Sequence, residues 1–194
     1  MRVHLTGSDP KNDQVMGYII AKLKGNLGRT KLFKLTYLGD LFSRMVRARP
    51  ITSFEYKLFP KGPMDNCMYD SIHSLKHNGH VEELFHEEWE GYSYSVKKNV
   101  ETNLISDEEK FILDQVIAAC GNMPLDYLLD EVVYKTEPVS KAKEARKTDV
   151  AIDMDCVNNK LNPHSAFDFS TYVQSTKDIE RDQRLSLSDL LNAL

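Results

Sequence analysis

Apolar residues return at helical intervals through the first part of the chain. Val15, Met16, Ile19, Ile20 and Leu23 form one stripe, and Asp9 ahead of Pro10 supplies an N-cap with proline at the first helical position. The pattern predicts a helix over Pro10 to Lys24, interrupted by Gly25, Asn26 and Gly28. Leu32, Leu35, Leu38, Leu41, Phe42 and Met45 mark a second helix. With Phe33 and Tyr37 added, its apolar face is too broad for a surface helix, so the segment from Arg29 to Arg47 is expected to be the central, enclosed helix of the core.

Pro50 stops that helix, and the period then shortens. Ile51 to Phe59 has the β-branched and aromatic content of a strand, with Phe54, Tyr56 and Leu58 on one side, ended by Pro60 and Gly62-Pro63. A further helix, Asn66 to Asn78, turns Met68, Ile72 and Leu75 inward and stops at Asn78-Gly79, a left-handed terminator. Val81 to Phe85 and Tyr92 to Val96 read as strands joined around Glu88 to Gly91. Ser106-Asp107-Glu108-Glu109 matches a capping box, so a helix starts there and runs to about Ala119, closed by Gly121. Pro124 opens another, striped by Leu125, Leu128, Leu129, Val132 and Val133 as far as Tyr134. The predicted fold is α+β and mostly α-helical, a helical core with a small antiparallel β element at one edge.

Lys141 to Lys147 is charged and helix-prone, and beyond Asp149 the composition turns polar until Leu185, Leu187, Leu190, Leu191 and Leu194. Two regions are therefore expected. Residues 1–150 form the domain, and residues 151–194 form an extension ending in an amphipathic helix, capped by Ser186 or Ser188, that docks on its own core or on another subunit.

A chain of 194 residues suits one domain with an appendage. With 41% hydrophobic and 28% charged residues it has an ordinary globular composition, and no apolar run approaches the ~20 residues that span a bilayer, so no membrane role is expected. The N-terminus lacks the apolar core of a secretory signal, and Cys67, Cys120 and Cys156 are widely spaced with no CxxC pair, which reads as a reduced, cytoplasmic protein. The net charge of −4 is unevenly spread. Lys22, Lys24, Arg29, Lys31, Lys34, Arg44, Arg47 and Arg49 face the single acid Asp40 in their stretch, whereas Glu82, Glu83, Glu87, Glu88 and Glu90 crowd one hairpin. Such a surface either serves solubility or steers an oppositely charged protein.

Helix, helix and two-stranded hairpin is also the outline of a winged helix. The helix that would enter the groove offers only Lys76 as a firm cation, however, and the wing carries the glutamates, which would repel phosphates, so nucleic acid is not the expected partner.

Gly25-Asn-Leu-Gly28 lacks the spacing of a phosphate cradle. His73, His77 and His80 form H-x3-H-x2-H, with Glu83 as the conceivable further ligand, but no HExxH acid accompanies them, and a helical edge accounts for them without metal. Asp153-x-Asp155 lacks the glycine and terminal glutamate of a calcium loop. Cys67 lies beside an apolar helical face, where a buried, inert thiol is expected instead of a thiol–imidazole pair with His73 or His77. Asp40, three residues after Tyr37, is expected to bond a nearby hydroxyl or amide, although a carboxylate in a cleft would also be the place for acid–base work. The expectation is no catalytic residue, metal or cofactor, hence no enzyme.

Lys34, Leu35 and Tyr37 with Asp40 one turn on, then Phe54, Tyr56, Gly62 and Pro63, then Tyr69, Ile72, Leu75 and Gly79, together resemble the Panacea (SocA-like) antitoxin domain. The pair of later helices and Thr136-Glu137-Pro138 fit the same pattern, so the resemblance runs from about Val15 to Val139. It implies a protein that neutralises a cognate toxin by direct binding, some members acting as adaptors that present the toxin to a protease. Lys34, Leu35, Tyr37, Asp40, Tyr56, Gly62, Pro63 and Tyr69 would then serve the fold. Trp89 and Tyr92 at the hairpin tip, ringed by Glu87 and Glu88, are the expected anchors for a basic partner. Two other readings stay open: a winged-helix transcriptional regulator, and a phage-associated protein with another binding role.

Overall fold

The computed structural model describes residues 8–25, 27–144 and 149–157. Its axis is α2, Arg29–Arg47, which is buried almost throughout from Leu32 to Met45. That follows from the breadth of its apolar face, since a helix apolar on most sides is stable only when covered on most sides. Helix α1, Pro10–Lys22, packs on one side of it, capped by the Asp9 side chain accepting from the Lys11 amide. On another side packs α4, Asp107–Cys120, whose N-terminus carries the full capping box between Ser106 and Glu109. Glu109 also pairs with Lys11 and Arg47, tying α4 to α1 and α2.

Two small antiparallel sheets close the core. One has the order β1-β5-β4, from Leu27–Gly28, Gly91–Val96 and Val81–His86; the other has the order β3-β2-β6, from Gly62–Met64, Lys57–Phe59 and Val150–Ala151. Between them runs α3, Cys67–His77. It stops as the sequence predicts: Gly79 has φ +70°, and the amides of Gly79 and His80 bond back to Lys76 and Leu75.

The structure departs from the sequence reading in four places. Ile51 to Phe59 alternates buried and exposed side chains, but only its last three residues form a ladder, because the Ile51 and Thr52 amides bond to the Asp40 carboxylate. The Pro60 to Pro63 stretch is the turn and first half of a returning strand, with proline tolerated because β3 lies at the sheet edge. The helix expected after Pro124 is a short turn α5, Leu125–Tyr127, then a π-wound stretch Leu128–Val132 and a 3-10 turn Val133–Lys135. This winding buries Leu128, Val132 and Val133 and leaves Leu129 half-buried. Finally, the packed region continues past residue 150. Val150 and Ala151 pair with β2, and Ile152, Met154 and Val157 are buried in the core against α2 and α6, Glu137–Glu144. The amphipathic segment Leu185 to Leu194 lies outside the described residues, as do Ala145 to Lys147.

Candidate functional site

Most of the residues that carry the family resemblance meet inside the protein. Lys34 is only 2% exposed, and its ammonium donates to the Pro63 carbonyl at 2.7 Å. Burial holds it far below an ordinary lysine, at about 7. The close approach needs Gly62: its φ is +86°, and a Cβ there would stand 3.3 Å from both Lys34 Cε and Tyr134 Cε1. Asp40 is 1% exposed and accepts from the Ile51 and Thr52 amides, the Thr52 hydroxyl and the Tyr56 hydroxyl. Burial raises its carboxyl, and these four bonds oppose the rise. Tyr37 and Tyr56 meet edge to face at 5.2 Å, and the Tyr37 hydroxyl shares a bond with Thr136 at 2.9 Å. Both phenols are raised by burial. Leu35 is fully covered. None of these groups is available to a partner; they lock α2 to the Thr52 to Pro63 segment and to the turn before α6.

Tyr69 is different, being 43% exposed. It meets Phe33 edge-on at 5.3 Å, and the Arg29 guanidinium lies 5.5 Å from its ring. Arg29 also sits 4.5 Å over Tyr92, which in turn meets Phe85 at 5.1 Å. A continuous row of rings therefore runs from the core at Phe33 through Tyr69, Arg29 and Tyr92 to Phe85 on the hairpin.

At the hairpin tip Trp89 is 53% exposed and stacks on His86, centroids 4.7 Å apart. Tyr92, expected beside Trp89 as an anchor, is half-buried under Arg29 and Phe85. Leu84 and Phe85 are exposed on the same hairpin, and the sequence reading did not single them out. Their signal was present: two adjacent large apolar residues on a strand cannot both face the core. Glu82 and Glu83 are bridged by Lys97 and Lys76, while Glu87, Glu88 and Glu90 are exposed and have no ion pair among the described residues. Beneath the tip a groove of about 660 Å³ opens between Trp89, Tyr92, Arg29, Lys31 and the Gly121 to Asp126 turn.

The remaining candidates are placed apart from this surface. The rings of His73 and His77 stack at 6.4 Å on the exposed side of α3, and His80 Nδ1 bonds the Asn99 carbonyl. No group of three His, Cys, Asp or Glu among the described residues is arranged to hold a metal ion. Cys67 is exposed instead of buried, because it occupies the first turn of α3 with Met68 taking the inward position; partial burial and Asp65 raise its thiol. Among the described residues no helix is long and apolar enough to cross a membrane.

Residues 32–138, from the second turn of α2 to the start of α6, match the family model of the antitoxin SocA-like Panacea domain. No curated protein and no solved structure matches the chain. The matched segment spans more than half of the chain and includes both the buried Lys34, Asp40, Tyr56 and Gly62 lock and the exposed hairpin. The chain belongs to the SocA-like antitoxin, Panacea-domain family.

Proposed function

We propose that the chain neutralises a cognate protein toxin by binding it directly, with the β4–β5 hairpin as the contact surface. The observation that carries this reading is the hairpin itself, where Leu84, Phe85 and Trp89 are each about half exposed beside three glutamates that have no ion pair among the described residues. Exposed large apolar side chains rimmed by charge mark protein contacts, and carboxylates around the rim favour a basic partner. The role is binding and not catalysis. Lys34, Asp40, Tyr37 and Tyr56, ionisable groups shifted by burial, are enclosed and spend their polar atoms on internal bonds.

A duplex-reading role fits this surface less well. Lys76, the firm cation of α3, is bridged to Glu83, and the would-be wing presents carboxylates to any phosphate backbone.

Co-expression with the gene beside this one tests the reading. The expected result is a toxic neighbour whose growth defect is relieved and whose product co-purifies with this chain. A harmless neighbour that does not co-purify overturns it. Toxin abundance in the same cells separates two modes of neutralisation: sequestration leaves the toxin intact in the complex, whereas delivery to a protease lowers its amount.

A further inference from the structure

The hairpin carries a second recognition element besides its side chains, the open edge of its outer strand. Among the described residues strand β4 pairs only with β5, and it lies at the end of the β1-β5-β4 sheet. The Lys97 amide donates to the His80 carbonyl, which makes His80 and Lys97 a hydrogen-bonded pair. With the register Val81↔Val96 through His86↔Gly91, the residues turned toward β5 are then Glu82, Leu84 and His86. The main-chain groups of Val81, Glu83 and Phe85 point away from the sheet, and none of them is bonded outside it among the described residues. The edge is only partly protected: it contains no proline, its ladder has no bulge, its charges Glu82 and Glu83 are both ion-paired, and Leu84 and Phe85 are 50% and 52% exposed along it.

We infer that the β4 edge takes up an extended, cationic segment of the partner protein as a fourth strand, giving the order β1-β5-β4-partner. The inference rests on the reading of the hairpin as the partner-facing surface. Charge selects the occupant. Glu87, Glu88 and Glu90 lie in the turn that follows the strand, a 3-10 turn over Glu87–Trp89 closed by left-handed Glu90, without counter-ions among the described residues, and lysine or arginine at the near end of the added strand would supply them. A second copy of this chain fits worse. Its β4 carries Glu82 and Glu83 and no lysine or arginine, so it brings no cation to the edge, and with Val81 opposite Phe85 it also sets Glu83 directly against Glu83, where like charges destabilise a ladder.

The test uses the full chain and a short monomeric peptide of alternating lysine and valine, closed by proline at both ends. Two further peptides serve as controls, one with glutamate for lysine and one N-methylated at alternate residues. Trp89, the single tryptophan of the chain, reports binding by its fluorescence at the end of the edge. The lysine peptide is expected to bind saturably and more tightly than the glutamate peptide. N-methylation is expected to weaken it about threefold to tenfold, the effect of losing one or two main-chain bonds. Phe85→Pro removes one outward N–H without touching the bonds to β5, so it is expected to weaken binding by a similar factor beyond Phe85→Ala, which removes only the ring. Protection of the Val81, Glu83 and Phe85 amides from hydrogen exchange should accompany binding. The inference is overturned by no saturable binding, by equal affinity for the lysine and glutamate peptides, or by indifference to N-methylation. A Phe85→Pro variant that folds and binds like Phe85→Ala also overturns it, as does sedimentation of the free protein as a dimer that Phe85→Pro dissociates. A failed peptide experiment with successful toxin rescue would sink the edge and spare the antitoxin reading, and the two are thereby distinguishable.

Discussion

The Tyr56 hydroxyl donates to Asp40 Oδ2 at 2.7 Å, fastening the extended segment to the core helix across 16 positions of sequence. The other carboxylate oxygen takes the Ile51 and Thr52 amides at 2.8 Å each. One buried side chain thus does for this segment what a neighbouring strand would do in a sheet, satisfying main-chain donors that no water can reach. Asp40→Ala strands these donors together, and the expected loss is about 3 to 5 kcal/mol. Asp40→Asn keeps an oxygen for the two amides and can donate to the Thr52 and Tyr56 hydroxyls, so about 1 kcal/mol is expected. Urea denaturation of the two variants checks the ordering.

Lys34 gives stability a pH dependence of unusual sign. Its folded value is about 7 against an ordinary value of 10.5, so between these limits the unfolded chain binds more protons than the folded one. Stability contributed by Lys34 therefore rises with pH across this window, and is lost as pH falls through about 7. The slope approaches ~1.4 kcal/mol per pH unit for one proton. Lys34→Met should flatten the curve of unfolding free energy between pH 7 and 10, and an unchanged slope would show that the ammonium stays charged in place.

Gly62 is the counterpart of that lysine. Gly62→Ala places a methyl group against Lys34 Cε and Tyr134 Cε1 on a backbone with φ +86°. A loss of about 1 to 3 kcal/mol is expected, combining the left-handed strain with the contact. Thermal unfolding of the variant, alone and combined with Lys34→Ala, which removes Cε, separates the two contributions: a double variant more stable than the sum of the single losses identifies the contact.

What the chain declares openly is what local chemistry decides. The bounds of α2 follow from leucine spacing, Ser106 and Glu109 fix the start of α4, and Gly79 fixes the end of α3. What stayed hidden depends on distant residues. The ladder of Lys57 with Ala151 joins positions far apart in sequence, and nothing near either one encodes the register. The same holds for the tip. Tyr92 and Phe85 are both aromatic residues on adjacent strands, and the one that is covered is chosen by Arg29 arriving from α2. The pattern therefore located the hairpin and its acidic rim, but not which of its rings is more exposed.

Trp89→Ala and Phe85→Ala should each weaken toxin binding by about 1 to 2 kcal/mol while shifting unfolding by less than about 1 kcal/mol, since both rings are half exposed in the free protein. Tyr92→Ala should instead cost measurable stability, because its ring fills the space between Arg29 and Phe85. Titration calorimetry against the co-purified toxin, beside denaturation of the free variants, distinguishes a contact residue from a supporting one.

The three tip glutamates should act on the speed of encounter more than on the lifetime of the complex. They are exposed and without ion pairs among the described residues, and charges on a solvated rim steer a basic partner without being stripped of water. Replacing Glu87, Glu88 and Glu90 by glutamine together should lower the association rate by about tenfold at low salt and leave dissociation nearly unchanged. Because added salt screens the same interaction, the gap between wild type and variant should narrow as ionic strength approaches ~1 M, where screening acts over about 3 Å. Stopped-flow mixing with the toxin, followed by Trp89 fluorescence, measures both rates. A loss confined to dissociation would place these carboxylates inside the desolvated contact, where each must meet a cation directly.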